Sequence, residues 1–203
     1  MFITIEGGEG GGKSTNLAYI ENYLKDQGKD VVVTREPGGT ELGEKLRFIL
    51  LDPGNEGMDE RAELLLMFAA RAHHIAKVIK PALEAGKTVL CDRFTDATYA
   101  YQGGGRGLPF EDIALLEKWV QGDLKPDLTI LLDLDIEIGL FRANERSDQD
   151  RFEQEEMNFF DRVRKAYLDM AKKEPERFRV IDAGEPLEVV QKQLHQVLVE
   201  AIK

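Results

Sequence analysis

Five short apolar runs alternate along the chain with longer segments of helical periodicity. The runs cover residues 2–6, 31–34, 88–91, 128–133 and 178–181. Most of them are continuously apolar and β-branched, which is typical of parallel strands that are covered on both faces. The helical segments between the runs supply right-handed crossovers. The pattern therefore predicts an α/β fold with a five-stranded parallel sheet and helices on both faces.

Glycine and proline residues mark the ends of the predicted helices. The helix after the first strand carries Leu17, Ile20 and Leu24 on one stripe and is expected to stop at Gly28. Further helices are predicted over residues 59–86 and 109–122, and from Pro186 onward.

The predicted helix over residues 59–86 contains a segment, from Leu64 to Ala70, that is apolar on all sides. One face of this segment can pack on the sheet, but the opposite face must also be covered. We predict that a second copy of the chain covers it, which makes the protein a homodimer. The alternative is coverage by another helix of the same chain. His73 and His74 follow on this helix and are expected at the surface or the interface, rather than at a metal site.

Composition excludes several other classes of protein. The chain has 203 residues, 42% hydrophobic and 32% charged, so one domain over residues 1–203 is expected. A net charge of −11 argues against broad nucleic-acid binding. No apolar run approaches 18 residues and no leader pattern is present, so we expect a cytoplasmic protein that does not enter membranes. Cys91 is the only cysteine and is expected in the core.

The most informative motif lies directly after the first predicted strand. Residues 7–14 fit G-x-x-x-x-G-K-[ST], the loop that cradles phosphate groups between a strand and a helix. Glycines let successive backbone N–H groups turn toward an anion, and the following helix presents its positive end to the same anion. Lys13 can reach the terminal phosphates, and the Ser14 hydroxyl can ligate Mg²⁺.

The size of the chain favours a phosphotransferase that acts on a small molecule. Such an enzyme also needs a carboxylate that organises Mg²⁺, and positive charge over the transferring group. Asp92 and Asp133 both stand at the ends of predicted strands, where ligands bind in open α/β sheets. Asp92 is favoured because Arg93, a phosphate-binding base, follows it directly.

A polar, arginine-rich segment suggests a short lid at about residues 143–153. Arg142 and Arg146 are four residues apart, and Arg151 follows a polar stretch with no core-forming residue. The variable positions of the phosphate loop contain no basic residue, so a catalytic arginine has to come from elsewhere. We therefore predict that the lid brings Arg146 and Arg151 over the phosphates; the alternative is a solvated charged loop.

The remaining arginines suggest an acceptor with its own phosphate and an aromatic ring. Arg47, Arg71 and Arg93 accompany two glycine-containing segments, residues 35–40 and 101–107. Arginine forks bind phosphate oxygens bidentately. Phe68 could stack on a base, although its position in the helix is more typical of a core residue.

These motifs together resemble the bacterial thymidylate kinase family over essentially the whole chain. The resemblance is carried by residues 6–15, 35–40, 92–94, 100–107, 126–129, 132–133 and 146–151. It implies a P-loop nucleoside-monophosphate-kinase fold that transfers the γ-phosphoryl group of ATP to dTMP, giving dTDP for dTTP biosynthesis. It also implies Mg²⁺ and a homodimer.

The same resemblance assigns roles to individual residues. It implies an ATP site made of Gly7, Gly8, Glu9, Gly10, Gly11, Gly12, Lys13, Ser14 and Thr15, with Arg142 and residues 182–186 along the adenine. It implies that Ser14 and Asp92 organise Mg²⁺, and that Lys13, Arg93, Arg146 and Arg151 are catalytic. The implied dTMP site has Arg47 and Arg93 on the phosphate, with Glu9 near the sugar and Tyr101 beneath it. Phe68 would stack on thymine, and Arg71 and Gln102 would bind the edge of the base. Glu36 and Thr98 complete the implied site.

Two positions depart from the family pattern, and some alternatives stay open. Phe94 stands where tyrosine or histidine is usual, and Ala97 replaces a frequent serine, for which Thr98 could substitute.

Three alternative functions stay open. They are a kinase for another nucleoside monophosphate, a deoxynucleoside kinase, and a regulatory subunit that only binds nucleotide. The arginine pair Arg47 and Arg93 favours a monophosphate acceptor. The sequence leaves the geometry of the peptide bond before Pro37 open.

Overall fold

The five predicted strands form one parallel sheet. The computed structural model describes residues 1–144 and 150–202. The strands are β1 (Phe2–Gly7), β2 (Val31–Arg35), β3 (Thr88–Asp92), β4 (Leu128–Asp133) and β5 (Phe178–Asp182). They pair in the order β2-β3-β1-β4-β5, and every neighbouring pair is parallel. The prediction of a five-stranded parallel sheet is confirmed, with each strand end within one residue of its expected position.

Helices connect successive strands and cover both faces of the sheet. They are α1 (Lys13–Asp26), α2 (Glu41–Leu51), α3 (Glu60–His74), α4 (Lys80–Glu84), α5 (Thr95–Thr98), α6 (Phe110–Gln121), α7 (Ile136–Asn144), α8 (Met157–Lys173) and α9 (Leu187–Ala201). A π-helical turn, Ile75–Ile79, joins α3 to α4, so the long helix predicted over residues 59–86 is present with one change of pitch. A second π-helical turn, Tyr99–Gly105, follows α5. Within the described chain, none of the helices is both long and apolar enough to cross a lipid bilayer.

The central position of β1 determines where the site lies. All of its residues are buried, and β3 and β4 flank it on either side. On one face, Ile3 and Ile5 pack with Ile20 of α1 and Leu198 of α9. On the other face, clusters of buried residues from α8 and the long helix cover the sheet. The loop after β1 therefore leaves the sheet at its middle, on the side where all five parallel strands have their carboxyl ends.

Two glycines bring the loop after β1 into backbone contact with α7. Gly10 has a φ of +68°, and a Cβ atom there would lie 2.1 Å from the carbonyl oxygen of Gly139. A Cβ atom at Gly139 would in turn lie 2.6 Å from the carbonyl oxygen of Glu9. The close approach excludes larger residues at both positions and fixes the loop against the helix that precedes residues 145–149.

The core contribution of α9 can be tested by truncating one of its apolar residues. Leu198 is fully buried against the sheet, whereas its neighbour Val199 is 38% exposed. We expect Leu198→Ala to lower the free energy of unfolding by about 2–5 kcal/mol in urea denaturation. The matched variant Val199→Ala should change it by about 0.5 kcal/mol or less. Equal losses for the two variants would contradict the packing described for α9.

Candidate active site

The phosphate loop has the geometry that its sequence predicts. Gly12 stands at the N-cap of α1 in the left-handed conformation, so the first N–H groups of the helix face the loop. The ammonium group of Lys13 donates hydrogen bonds to the carbonyl oxygens of Gly7 (3.2 Å) and Gly8 (2.7 Å). Burial, together with the positive charge of Arg93, lowers the pKa of Lys13, while the carboxylates of Glu9 and Asp92 act in the opposite direction. The arrangement can hold the phosphate chain of a nucleotide.

Arg93 connects this loop to a neighbouring cavity. Its Nη2 atom donates to Oε1 of Glu9 (2.6 Å), to the hydroxyl of Tyr101 (2.9 Å) and to the carbonyl oxygen of Gly7 (3.4 Å). Burial would raise the pKa of Glu9, but the positive charges of Arg93 and Lys13 and hydrogen bonds from Tyr101 and Arg93 outweigh it and lower that pKa to about 2. Glu9 is therefore an anion that holds Arg93 at the border of the loop and the cavity.

The position of Arg93 depends on an unusual backbone turn after β3. Arg93 has a φ of +63°, a backbone conformation that residues other than glycine rarely adopt. The next N–H group, that of Phe94, donates to Oε1 of Glu6 (2.7 Å), and the Tyr167 hydroxyl donates to Oε2 of Glu6 (2.8 Å). Glu6 is fully buried, and this burial raises its pKa to about 8. A buried carboxyl group at the end of β1 thus holds the turn that aims Arg93.

The cavity beside the loop has a volume of about 210 Å³. It brings together all of the predicted acceptor-site residues except Phe68: Glu9, Glu36, Arg47, Arg71, Arg93, Thr98, Tyr101 and Gln102. The other lining residues are Pro37, Leu51, Met67, Phe94, Ala97, Asp150, Phe152 and Glu153. The cavity combines aromatic and aliphatic walls with several guanidinium groups, which suits a planar ring that carries a phosphate.

Arg71 is held rigidly on one wall of this cavity. Its Nε donates to Oε2 of Glu36 (2.7 Å), and its Nη2 donates to Oγ1 of Thr98 (2.9 Å) and to the carbonyl oxygen of Phe94 (3.2 Å). Its Nη1 atom is buried and has no hydrogen-bond partner among the described residues. A buried donor without a partner is costly. Nη1 is therefore the donor of Arg71 that no described residue satisfies.

His74 departs from the expectation of a surface or interface residue. It is fully buried, with Nδ1 2.8 Å from Oε1 of Glu36 and Nε2 2.6 Å from Oγ1 of Thr34. The physical reason is Glu36, a buried carboxylate that needs polar partners on both oxygens. Arg71 serves one oxygen and His74 the other. The peptide bond between Glu36 and Pro37 is cis.

Phe68 also lies elsewhere than predicted. It is 2% exposed and packs in a core cluster with Leu64 and Ile113, while the guanidinium group of Arg71 lies 4.8 Å from the centre of its ring. Met67 lines the cavity instead. Met67 and Phe68 are four and three residues before Arg71, so both are its neighbours on the helix, but Phe68 is turned toward Ile113 of α6. Spacing along the helix alone therefore gave no signal that separates Met67 from Phe68.

The arginines of the predicted lid take separate positions. Arg146 lies outside the described residues. Arg151 is not brought to the phosphate loop: it is 5% exposed, with Nη2 donating to Oε2 of Glu63 (2.5 Å) and Nε to the carbonyl oxygen of Leu50 (2.8 Å). The reason is Glu63, a buried carboxylate on α3 that attracts cationic partners. Arg142 donates to the carbonyl oxygen of Ala183 (3.2 Å), within the segment expected to line the adenine.

The structure distinguishes the two carboxylates at the strand ends. Asp133 forms a bidentate ion pair with Arg164, at distances of 2.8 and 2.9 Å. Asp92 instead has a buried Oδ1 atom with no partner among the described residues. Ser14 is exposed in the first turn of α1. In the described part of the chain, no three His, Cys, Asp or Glu residues group around a possible metal position. Of the two strand-end carboxylates, Asp92 is therefore the one with an oxygen that no described residue binds.

Comparison with known proteins identifies the family. Residues 5–194 match the family model described as thymidylate kinase. The chain is 60% identical over 198 residues to the thymidylate kinase of Pseudomonas putida strain W619, an alignment that covers 98% of this chain and 96% of that protein. It is 59% identical over 203 residues to the thymidylate kinase of Pseudomonas syringae pv. tomato, covering 100% and 97%.

A solved structure agrees with the sequence relatives. The crystal structure of thymidylate kinase from Ehrlichia chaffeensis superimposes with a TM-score of 0.80 at 37% sequence identity, and the alignment covers 98% of each chain. Both its fold and its length correspond to those of this chain. From the family match and these relatives, we conclude that the chain belongs to the thymidylate kinase family.

Proposed function

We propose that the chain phosphorylates dTMP to dTDP with ATP bound at the phosphate loop and dTMP in the 210 Å³ cavity. The observation that carries this proposal is the position of Arg93. It lines the cavity, and it also donates to Glu9 and Gly7 of the phosphate loop. An acceptor phosphate on Arg93 would therefore lie next to the terminal phosphate of a nucleotide in the loop.

The polar groups of the cavity match a thymine base. The free Nη1 donor of Arg71 suits a ring carbonyl oxygen, and Gln102 can pair with the neighbouring ring N–H. Met67, Phe94 and Ala97 offer apolar contacts to the ring and its methyl group. Tyr101, whose hydroxyl donates to Glu9 (2.8 Å), supplies an aromatic surface for the sugar. Together these groups support a pyrimidine nucleotide with a carbonyl group and an N–H on one edge.

Catalysis would rest on positioning and on electrostatic screening. The acceptor is already a phosphate, so its attacking oxygen carries negative charge at neutral pH and needs no strong general base. Arg47 and Arg93 would hold that phosphate, while Lys13 and the loop amides hold the donor. Holding the two groups in line lowers the entropic part of the barrier, and the cations screen their repulsion.

The lid residues receive different roles in this proposal. Arg146 is the candidate for the charge that follows the phosphoryl group during transfer. Arg151, in its ion pair with Glu63, instead anchors the C-terminal end of the lid to α3. Arg142, bound to Ala183, would lie along the adenine.

Asp92 and Ser14 fit a Mg²⁺ ion that accompanies the nucleotide. The unpartnered Oδ1 of Asp92 and the exposed Ser14 hydroxyl are hard oxygen donors, and Mg²⁺ usually takes one or two protein ligands together with phosphate oxygens and water. A bound Mg²⁺ would neutralise part of the charge on the phosphate chain.

We also propose a homodimer through the outer face of α2, α3 and α6. Leu64, Phe68 and Ala70 are covered within the chain, but Leu65 of the same helix is 57% exposed. Helices α2 and α6 both pack against α3 and carry Phe48 (73% exposed) and Trp119 (82% exposed). Large apolar side chains on three adjacent helices are typical of a protein–protein interface.

The activity is tested with a panel of acceptors. With ATP and Mg²⁺, we expect rapid ADP release with dTMP, much slower release with dUMP, and little with dCMP, AMP or thymidine.

Lys13→Ala should abolish turnover while thermal unfolding stays cooperative, because the terminal phosphates lose their cation. Turnover with another monophosphate in preference to dTMP would contradict the base assignment, and an active Lys13→Ala would contradict the loop assignment.

Met67 and Phe68 provide a matched pair of variants on adjacent positions of α3. Met67→Ala should raise the KM for dTMP while stability changes little, because its side chain lines the cavity and is only half-buried. Phe68→Ala should lower the free energy of unfolding by about 3–5 kcal/mol, because it leaves a hole in the core. Steady-state kinetics and urea denaturation separate the two effects, and the reverse pattern would restore Phe68 as the stacking residue.

The dimer is tested by light scattering at micromolar concentration. We expect a mass close to twice the 22.9 kDa of the chain. Trp119→Glu should shift the mass toward that of the monomer, because it places a charge in the apolar interface. Val189→Glu introduces the same charge at an exposed position of α9 and should leave the dimer intact. A monomeric parent protein would exclude the proposed interface.

A further inference from the structure

A buried carboxylate lies behind the base end of the cavity. Glu63 of α3 is fully buried and does not line the cavity itself. Its Oε1 atom accepts a hydrogen bond from the amide nitrogen of Gln102 (2.7 Å). Its Oε2 atom lies 2.5 Å from Nη2 of Arg151 and 3.3 Å from Nη2 of Arg106. Glu63 thus joins one uncharged cavity residue to two guanidinium groups.

This arrangement fixes which end of the Gln102 amide faces the cavity. A carboxylate beside two guanidinium groups accepts hydrogen bonds and donates none. Because of this, Gln102 must turn its –NH₂ group toward Glu63, and its amide oxygen becomes the group available to a ligand. Gln102 is 1% exposed, so water does not offer it an alternative partner. The orientation follows from the chemistry of Glu63, and does not depend on the assignment of the oxygen and nitrogen atoms of the amide.

The consequence is a donor–acceptor pattern that distinguishes pyrimidines. Arg71 offers a donor through Nη1, and Gln102 in this orientation offers an acceptor. Thymine and uracil present the complement, a carbonyl oxygen at C4 and an N–H at N3. Cytosine presents an amino group at C4 and an unprotonated nitrogen at N3, so it would oppose donor to donor and acceptor to acceptor. Buried mismatches of this kind are strongly unfavourable.

We propose that Glu63 is a positioning residue that sets the preference for thymine over cytosine by locking the orientation of Gln102. The inference rests on the proposed function, because it assumes that the cavity holds the base of a nucleoside monophosphate. It concerns a residue that touches neither nucleotide and that acts on the choice of base through Gln102, apart from its ion pair with Arg151.

The test compares kcat/KM for dTMP and dCMP in the parent protein and in Glu63→Gln. The new amide can donate as well as accept, so Gln102 becomes free to adopt either orientation. We expect the KM for dTMP to rise roughly tenfold, with a smaller change in kcat, and the preference for dTMP over dCMP to fall at least roughly tenfold. A merely structural role would reduce activity with both acceptors in the same proportion, and that result would overturn the proposal.

Three further variants isolate the effect. Glu155→Gln changes the other carboxylate paired with Arg106 but has no contact with Gln102, so the preference should be unchanged. Glu63→Asp retains a carboxylate and should keep the preference even if the KM rises. In a Gln102→Met background, Glu63→Gln should no longer change the preference, because the amide that Glu63 orients is gone. A change of similar size in that background would also overturn the proposal.

A measurement on the parent protein covers the case in which Glu63→Gln does not fold. The side-chain NH₂ resonances of Gln102, assigned by their loss in Gln102→Met, should be protected from exchange with or without dTMP. Rapid exchange of these protons in the free protein that becomes slow only when dTMP binds would place the NH₂ group on the base and contradict the inference. Failure of the proposed function is distinguishable, because the parent protein would then not turn over dTMP at all.

Discussion

The ion pair between Arg93 and Glu9 is the contact on which the rest of the site depends. It spans 2.6 Å and connects the end of β3 to the phosphate loop after β1. These two strands are neighbours in the sheet, so the strand order itself brings the pair together. The strained backbone at Arg93 is stabilised by the buried Glu6, which accepts the N–H of Phe94. In the proposed function, the fold would thereby fix the distance between a donor phosphate and an acceptor phosphate before either nucleotide binds.

Buried carboxylates behind the cavity organise its remaining cations and amides. Glu36 holds Arg71 and His74, and Glu63 holds Gln102 and Arg151. Burying a charge is costly unless its partners satisfy it, so each carboxylate dictates the orientation of the groups around it. The side chains that line the cavity are thus aligned by contacts made behind it. Nη1 of Arg71 is the one guanidinium nitrogen in this cluster that is buried without a partner among the described residues.

Local sequence patterns predicted the sheet and the phosphate loop, because each depends on residues that are close together in the chain. The cavity residues are far apart in the chain, and the resemblance to a known family assigned most of them. The positions of Phe68, His74 and Arg151 were not predictable in the same way. The first depends on the rotational phase of α3, and the other two on carboxylates that are 38 and 88 residues away. Likewise, the sequence favours Asp92 over Asp133 only through the adjacent Arg93, and the ion pair of Asp133 with Arg164 is a difference that the sequence pattern does not show. Long-range pairing of buried charges was the information that the sequence pattern lacked.

The most direct test of this account is a crystal structure of the protein with dTMP and a non-hydrolysable ATP analogue. We expect the dTMP phosphate between Arg47 and Arg93, facing the terminal phosphate of the analogue at Lys13. The C4 carbonyl oxygen of thymine should lie on Nη1 of Arg71, and N3 on the amide oxygen of Gln102. A dTMP molecule bound elsewhere, or a dTMP phosphate that makes no contact with Arg93, would contradict the central claim that Arg93 joins the two nucleotide sites.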